Sequence, residues 1–218
     1  MNDYVYAMAL QRDGRIVLAG SARKGTGDKS ANFALARYSS NGLLDQSFGV
    51  NGRVNTDFFS GDDTVYSIVL QRDGKVVVAG EAFRLDQGRR TAALARYKAN
   101  GRLDTSFGQQ GKVSTVFNAD NPDEVHSAVY DLALESNGKI VAGGGTSNNS
   151  ASDGYNSRSS ALARYRTNGG LDFEREIDGV SGAIRGIELR KDGKLVIGAN
   201  YGGDDPVAIV YFARVLLQ

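Results

Sequence analysis

The 218-residue sequence predicts an all-β protein built from four tandem copies of a four-stranded antiparallel sheet. Three observations predict this fold class. A motif close to VYSIVLQRDGKVVVAG recurs four times, apolar and other residues alternate within it, and each copy has an Asp-Gly or Asn-Gly pair near its centre. An alternation of period two is typical of a β-strand, and an Asp/Asn-Gly pair is typical of a tight hairpin turn.

The first motif predicts a hairpin of two strands, a and b, in every copy. In copy two, the alternation places Tyr66, Ile68 and Leu70 on one face of strand a and Val65 on the other. The Asp-Gly or Asn-Gly pair predicts a type I′ turn, which requires positive φ at both central residues. Aligned on this glycine, the copies read VYAMALQRDGRIVLAG (5–20), VYSIVLQRDGKVVVAG (65–80), VYDLALESNGKIVAGG (129–144) and IRGIELRKDGKLVIGA (184–199).

A second motif follows in each copy and predicts two further strands. The ALARY run predicts strand c, the Asn-Gly pair after it predicts a turn, and the segments GRVNTDF (52–58) and GKVSTVF (111–117) predict strand d. The predicted sheets occupy residues 4–64, 65–124, 125–183 and 184–218 of a single domain. The second motif reads ALARYSSNGLLDQSFG (34–49), ALARYKANGRLDTSFG (93–108), ALARYRTNGGLDFERE (161–176) and YFARVLLQ (211–218).

Each predicted sheet has two apolar faces that must be buried, and the neighbouring copies can bury both of them. A radial ring of blades and a linear stack both provide this cover. Propellers are built from about four to eight four-stranded blades, whereas linear solenoids use shorter repeats. The sequence therefore favours a β-propeller with about four blades in this chain.

The predicted strand count leaves the closure of the ring open. Three complete copies and a final a-b-c set give fifteen strands, so the last blade is incomplete. Three arrangements fit: a four-bladed ring with a three-stranded last blade, an eight-bladed ring of two chains related by a two-fold axis, or a segment of a longer array. A bare sheet edge and an exposed apolar face promote self-association, which favours the homodimer among the three.

Composition excludes several classes of function. The 26 Lys+Arg against 25 Asp+Glu give a formal net charge of +1, so no nucleic acid is expected as a partner. The chain has no cysteine and a single histidine, His126, which excludes disulfides, thiolate catalysis and zinc sites that need several Cys or His ligands. No apolar stretch approaches about 18 residues and no basic segment opens the chain, so neither membrane insertion nor a secretory signal is expected.

The repeat also resembles a known family. Its pattern, A-x-x-LQ-x-DGK-[IV]-x-x-AG followed by F-x-LARY-x-x-NG-x-LD-x-SFG-x-x-G-[KR]-V, is similar to the delta-60 repeat family, whose bacterial tandem repeats are β-propeller-like. The resemblance is specific in copies one and two. Copy three departs after Leu171-Asp172, and copy four lacks the tyrosine and the LD-x-SFG block. The resemblance implies a bacterial scaffold, secreted or on the cell surface, without established catalytic residues.

Residues held in every copy are predicted to serve the sheet. An arginine of the ALARY run recurs with an aspartate eight residues later, which predicts an Arg–carboxylate brace inside each sheet. A ring of cation–anion binding pairs is the alternative. Phe48 and Phe107 are predicted to pack in the interior rather than to stack on a ligand. The pairs are Arg37 with Asp45, Arg96 with Asp104 and Arg164 with Asp172, and Arg214 takes the arginine position in copy four.

The loops at one end of the sheets differ between copies, and this variable rim is the predicted binding surface. It consists of the b–c loops and the d–a links, whereas the a–b turns at the other end are all tight. The loops are 22–33, 82–92, 145–161 and 201–206, and the links are 59–64 and 118–126. The ligand-binding candidates on this rim are Arg84, Arg89, Arg90, Tyr155, Tyr201 and His126.

Acidic residues of the rim predict calcium as an alternative to the absence of any cofactor. Their oxygen atoms suit a hard cation, but no EF-hand spacing is present, which favours solvated loop acids. The metal-ligand candidates are Asp62, Asp63, Asp120, Asp123, Glu124, Asp204 and Asp205.

Two classes of function remain. The first is a non-catalytic scaffold that presents the variable rim to a glycan or a protein partner. The second is a small hydrolase or lactonase-like enzyme with a carboxylate-bound metal near the central channel. A Ser-His-acid triad would have to use His126, and the chain contains no G-x-S-x-G motif, so the sequence favours the scaffold.

Overall fold

All regular structure in the described part of the chain is β-strand, which confirms the predicted all-β class. The structure is a computed structural model that describes residues 3–23, 25, 27, 30–117, 125–148, 158–177, 180, 182–200 and 208–211. No helix in these ranges has the length and apolar character that a membrane crossing requires. The strands are β1 (Tyr4–Leu10), β2 (Ile16–Ala22), β3 (Asn32–Tyr38), β4 (Arg53–Thr56), β5 (Ser60–Leu70), β6 (Val76–Arg84), β7 (Arg89–Tyr97), β8 (Lys112–Thr115), β9 (Val125–Leu134), β10 (Ile140–Asn148), β11 (Arg158–Tyr165), β12 (Leu171–Arg175), β13 (Ala183–Leu189), β14 (Leu195–Asn200) and β15 (Ala208–Tyr211).

The strands form four antiparallel sheets in chain order. Sheet 1 contains β1 to β4, sheet 2 contains β5 to β8, sheet 3 contains β9 to β12, and sheet 4 contains β13 to β15. Consecutive strands pair within each sheet, as the repeated motifs predict. Among the described residues sheet 4 has three strands, and the extensive packing joins consecutive sheets without closing a ring. The architecture is therefore an incomplete β-propeller.

The strands of sheet 2 reach further toward the variable rim than the sequence predicts. Strand β5 begins at Ser60, which pairs with Arg84 at the end of β6, and β7 begins at Arg89. The predicted link 59–64 and much of the predicted loop 82–92 are therefore strand. Backbone pairing continues through polar residues here because a hairpin ladder needs no apolar side chain to extend it.

The a–b turns are tight, but the predicted type I′ geometry is wrong. Gly74 has a φ of +82°, whereas Asp73 is not among the described residues of positive φ. The Gly74 N–H donates to the carbonyl of Gln71 at 3.0 Å, and the Gln71 N–H donates to the carbonyl of Lys75 at 2.9 Å. This pattern is typical of a three-residue loop in which a turn is followed by a left-handed glycine. The same positive φ recurs at Gly14, Gly138 and Gly193.

A β-bulge interrupts strand a in every sheet and overturns the predicted alternation. In sheet 2 the pairing steps from Val65 opposite Gly80 to Ser67 opposite Ala79, so Tyr66 is the extra residue. Val65 consequently lies in the same core as Ile68 and Leu70. A Cβ on Gly80 would lie 1.8 Å from a backbone oxygen, which explains the glycine at this position of strand b. Equivalent register shifts involve Val5 and Ala7, Val129 and Asp131, and Ile184 and Gly186.

Three hydrophobic clusters fill the spaces between consecutive sheets. The cluster between sheets 1 and 2 includes Phe33, Phe48 and Tyr97, and the cluster between sheets 2 and 3 includes Phe107 and Tyr165. Phe48 and Phe107 have no exposed surface, which confirms that they are packing residues. The third cluster, between sheets 3 and 4, contains only aliphatic residues at its buried centre: Val141, Leu162, Ile184, Ile187, Leu195 and Ile197.

The predicted Arg–carboxylate brace is confirmed in sheets 1 to 3. Arg96 and Asp104 lie 2.9 Å apart (Nε to Oδ2) with side chains 6% and 4% exposed. The guanidinium also lies over the Phe107 ring, 4.5 Å from its centroid. These arginines are therefore structural. The equivalent Nε–Oδ2 distances are 2.8 Å for Arg37–Asp45 and 2.7 Å for Arg164–Asp172, and Arg214 lies outside the described residues.

Copy three lacks the SFG segment, and its chain passes directly from the c–d turn into its fourth strand. Strand β12 starts at Leu171, directly after the c–d turn, and pairs with β11. Phe173 thereby reaches the position of the missing phenylalanine, with the Arg164 guanidinium 4.7 Å from its ring centroid. The segment that departs from the repeat pattern is thus still a paired outer strand.

Candidate functional site on the variable rim

The three arginine candidates lie on a hairpin rather than in a loop. Arg84 ends β6, and Arg89 and Arg90 begin β7. The Arg84 guanidinium pairs with the exposed Asp86 at 3.1 Å, and Arg89 Nε donates to Gln87 at 2.8 Å. These two contacts fold both side chains back onto the tip of their own hairpin.

Arg90 joins a polar network that the sequence did not predict. Its guanidinium lies 2.9 Å from Glu81 Oε1, and the Tyr66 hydroxyl donates to the same oxygen at 3.1 Å. The Glu81 side chain is 15% exposed and that of Arg90 is 34% exposed. Burial, followed by the neighbouring Glu81 carboxylate, raises the pKa of Tyr66, so its hydroxyl stays a hydrogen-bond donor at neutral pH.

His126 connects this network to sheet 3. It lies in β9, and its Nδ1 accepts a hydrogen bond from the backbone N–H of Arg90 at 2.9 Å. An accepting Nδ1 is unprotonated, so this contact fixes the tautomer of the neutral imidazole. The structure therefore brings two of the predicted ligand-binding residues, Arg90 and His126, into direct contact.

A column of tyrosines runs across the innermost strands beside the network. The ring centroids of Tyr6 and Tyr66 are 5.7 Å apart, and those of Tyr66 and Tyr130 are 5.2 Å apart. The Arg185 guanidinium continues the column, 3.7 Å from the Tyr130 centroid. All four are the extra residues of the strand-a bulges, so one irregularity of the repeat places them in register. We call Tyr6, Tyr66, Tyr130 and Arg185 the tyrosine column.

The two described metal candidates face different surroundings. Asp62 is exposed, and its Oδ1 accepts the backbone N–H of Ala31 at 2.8 Å. Asp63 has no exposed surface, and its Oδ2 accepts the backbone N–H of Phe58 at 2.9 Å. Across the residues that the structure describes, no three or more His, Cys, Asp or Glu side chains group as a metal site. A calcium site stays a prediction.

The buried carboxyl group of Asp63 predicts an unusual dependence of stability on pH. Burial raises the pKa of Asp63 from 3.8 to about 7, although the Phe58 N–H acts in the opposite direction. The folded state therefore binds a proton that the unfolded state has released between about pH 4 and pH 7, and the free energy of unfolding falls as pH rises through this window. We expect a loss of roughly 2–4 kcal/mol by pH 8.

Denaturant unfolding from pH 4 to pH 8 measures this effect. Asp63→Asn removes the titration and should remove its share of the pH dependence, whatever the variant's absolute stability. An identical pH slope in the variant and the wild type would contradict the assignment.

The remaining candidates lie outside the described residues. They are Tyr155, Tyr201, Asp120, Asp123, Glu124, Asp204 and Asp205.

A groove of about 570 Å³ lies at the opposite end, between the tight turns of sheets 2 and 3. Lys75 on its wall lies 2.7 Å from Asp73 and 3.7 Å from Asp104 (Nζ to Oδ2), and the Arg96 guanidinium donates to the carbonyl of Thr167. The Lys75 contacts lie within sheet 2, and the Arg96 hydrogen bond joins sheet 2 to sheet 3, so these groups are engaged in structural contacts. The network and the tyrosine column are therefore the stronger candidate for a binding site.

Comparison with known proteins supports the architecture. Residues 11–48 and 71–107 match the family described as "Domain of unknown function (DUF5122) beta-propeller". The fold and this match, which covers the hairpin turn and second motif of copies one and two, define a β-propeller-like repeat protein. The more specific delta-60 name stays a resemblance.

The other comparisons add little. No curated protein matches the chain. One similar solved structure is that of MPT-1, described as a GDP-Man-dependent mannosyltransferase from Leishmania mexicana; the two sequences are 12% identical, the match covers 92% of this chain and 82% of that one, and the TM-score is 0.33. No inference about function follows from a likeness of this size.

Proposed function

We propose that this protein is a non-catalytic binding scaffold whose variable rim holds a glycan against the tyrosine column. The single observation that carries the proposal is the alignment of Tyr6, Tyr66 and Tyr130 on consecutive inner strands, beside the polar network of Glu81 and Arg90. Aromatic rings next to fixed donors and acceptors are the usual composition of a site that orients a partly polar ligand.

The chemistry of the network suits hydroxyl groups better than a protein surface. Glu81 supplies an acceptor and Arg90 supplies donors, both held in fixed positions by their mutual contact and by the Tyr66 hydroxyl. Preorganised polar groups of this kind cost little entropy to bind a ligand. A protein partner would need a larger apolar centre than this part of the rim offers.

Calorimetric titration with neutral pentasaccharides tests the proposal, with cello-, malto-, chito- and mannopentaose as probes. We expect saturable binding of at least one sugar. Tyr66→Ala and Glu81→Gln should each weaken it at least about tenfold, since each removes a contact worth about 1.4 kcal/mol or more.

Arg102→Ala is the matched control, because Arg102 is an exposed cation in the c–d turn, away from the rim. It should bind as the wild type does. Mass spectrometry of the recovered sugar should show it unchanged, and cleavage would favour the hydrolase instead. No binding of any probe at millimolar concentration, or binding that Tyr66→Ala and Glu81→Gln both leave intact in folded protein, would refute the glycan site.

A further inference from the structure

The outer face of sheet 1 has the contact residues of an inter-sheet interface, but none of the described sheets packs against it. In sheets 3 and 4 the equivalents of Met8 are Leu132 and Ile187, which are 5% and 8% exposed, whereas Met8 is 74% exposed. Tyr97 and Tyr165 have no exposed surface, and their equivalent Tyr38 is half-buried. Sheet 1 thus carries the apolar side of an interface without its cover. The face includes Val5, Met8, Leu10, Ile16, Leu18 and Tyr38.

Three directional contacts recur where one sheet docks on the sheet before it. The Tyr97 hydroxyl bonds Thr56 Oγ1 at 2.8 Å, and a Cβ on Gly101 would lie 3.0 Å from the Phe48 ring. Arg37 Nη1 donates to the carbonyl of Ala99 at 2.6 Å. The next interface repeats these contacts with Tyr165 and Thr115, Gly169 and Phe107, and Arg96 and Thr167.

Sheet 1 retains the residues that the later sheet contributes to each of these contacts. Tyr38 stands where Tyr97 does, Gly42 where Gly101 does, and Ser40 where Ala99 does. In the described part of the protein the Tyr38 hydroxyl makes no hydrogen bond, and no atom lies within 4 Å of a Cβ placed on Gly42. The face is therefore built to receive a threonine, a phenylalanine and an arginine.

The sequences of copies three and four lack both residues of the tyrosine–threonine contact. Copy three ends its second motif in LDFER and has no counterpart of Thr56 or Thr115, and copy four has Val215 where the tyrosine stands in the other copies. The threonine of one copy and the tyrosine of the next are thus lost together in this sequence. Copy one retains its tyrosine, Tyr38.

We propose that the outer face of sheet 1 docks a further complete repeat of the same kind, a four-stranded blade that carries the Arg, SFG and fourth-strand Thr of copies one and two. The occupant follows from the continuity of this face with the two interfaces already described.

A tandem fusion tests the proposal. Residues 1–63 are added directly ahead of Tyr4, at the spacing with which they precede Thr64 in the chain itself. We expect the thermal midpoint to rise by about 5 °C or more, because a docked blade adds an interface like the existing ones. Hydrogen exchange in β1 should slow in the fusion.

Matched variants identify the contacts. Tyr38→Phe should leave the midpoint of the original chain unchanged and should lower that of the fusion by several degrees, whereas Tyr97→Phe should lower the midpoint of both proteins. The changes Phe48→Ala and Thr56→Val, made only in the added copy, should remove most of the gain.

Three results would overturn the proposal. One is a fusion whose midpoint and β1 exchange equal those of the original chain. Another is a Tyr38→Phe variant that is equally harmless in both proteins. The third is a tight dimer of the original 23.3-kDa chain in sedimentation equilibrium that Met8→Glu converts to monomer. That result would mean that a second copy of the chain covers this face.

Discussion

Phe107→Ala is expected to lower the free energy of unfolding by about 3–5 kcal/mol, one of the two largest effects predicted for a single substitution in this protein. The ring has no exposed surface and lies between sheets 2 and 3, where the Arg96 guanidinium and the backbone of Gly169 contact it. Truncation would leave a cavity that the paired strands around it cannot close. Urea unfolding followed by circular dichroism measures the change.

Leu43→Ala is the control for this substitution, because Leu43 is also a large apolar residue but is 66% exposed. Its effect should stay within about 0.5 kcal/mol. Phe48→Ala, at the equivalent place between sheets 1 and 2, should resemble Phe107→Ala. A loss below about 1 kcal/mol at Phe107 would mean that sheets 2 and 3 are not held together as the structure describes.

The fold could be predicted from the sequence because the same strand-and-turn motif recurs four times. Each copy combines a turn glycine with apolar strands, and the first three copies add the Arg–Asp pair, so the copies support one another. The brace followed from the same argument, since a residue kept at every repeat is more useful to the sheet than to one ligand. Arg96 and Asp104 illustrate this, as both are almost completely buried inside their own sheet.

The candidate site was harder to predict, because it depends on an irregularity. A strict period of two places Tyr66 with Ile68, whereas the bulge gives it a position of its own in the tyrosine column. One signal was nevertheless present: a Val-Tyr pair opens the strand-a motif in three copies, and a glycine of strand b lies opposite the bulge in the same copies. A repeated aromatic residue opposite a repeated glycine indicates a bulge that positions the ring.

The hairpin of sheet 2 was misjudged for a different reason. Arg84, Arg89 and Arg90 are polar, and a polar run between strands is usually a loop. Here the backbone ladder continues through them, and the side chains are held by Asp86, Gln87 and Glu81. Side-chain partners at the exposed end of a hairpin cannot be read from apolar periodicity.

Asp104→Asn is expected to produce the other large loss, about 3 kcal/mol at neutral pH. It leaves the guanidinium of Arg96, which is 6% exposed, without its counter-ion, and an unpaired buried charge is costly. Burial alone would raise the pKa of Asp104, but hydrogen bonds from Ser106 and the charges of Arg96 and Lys75 outweigh it and lower the pKa. The carboxylate is therefore bound more favourably in the folded state than in the unfolded chain.

The pH dependence and a double variant separate this brace from an ordinary surface pair. A lowered pKa contributes stability above about pH 4 that is lost as the pH falls further, so the gap between wild type and Asp104→Asn should shrink in acid. Asp86→Asn, which breaks an exposed pair with Arg84, should not change stability measurably.

Arg96→Met combined with Asp104→Leu should cost less than the two single changes added together, because neither charge is then left alone. Additive losses would mean that Arg96 and Asp104 stabilise sheet 2 independently, and the brace would not exist.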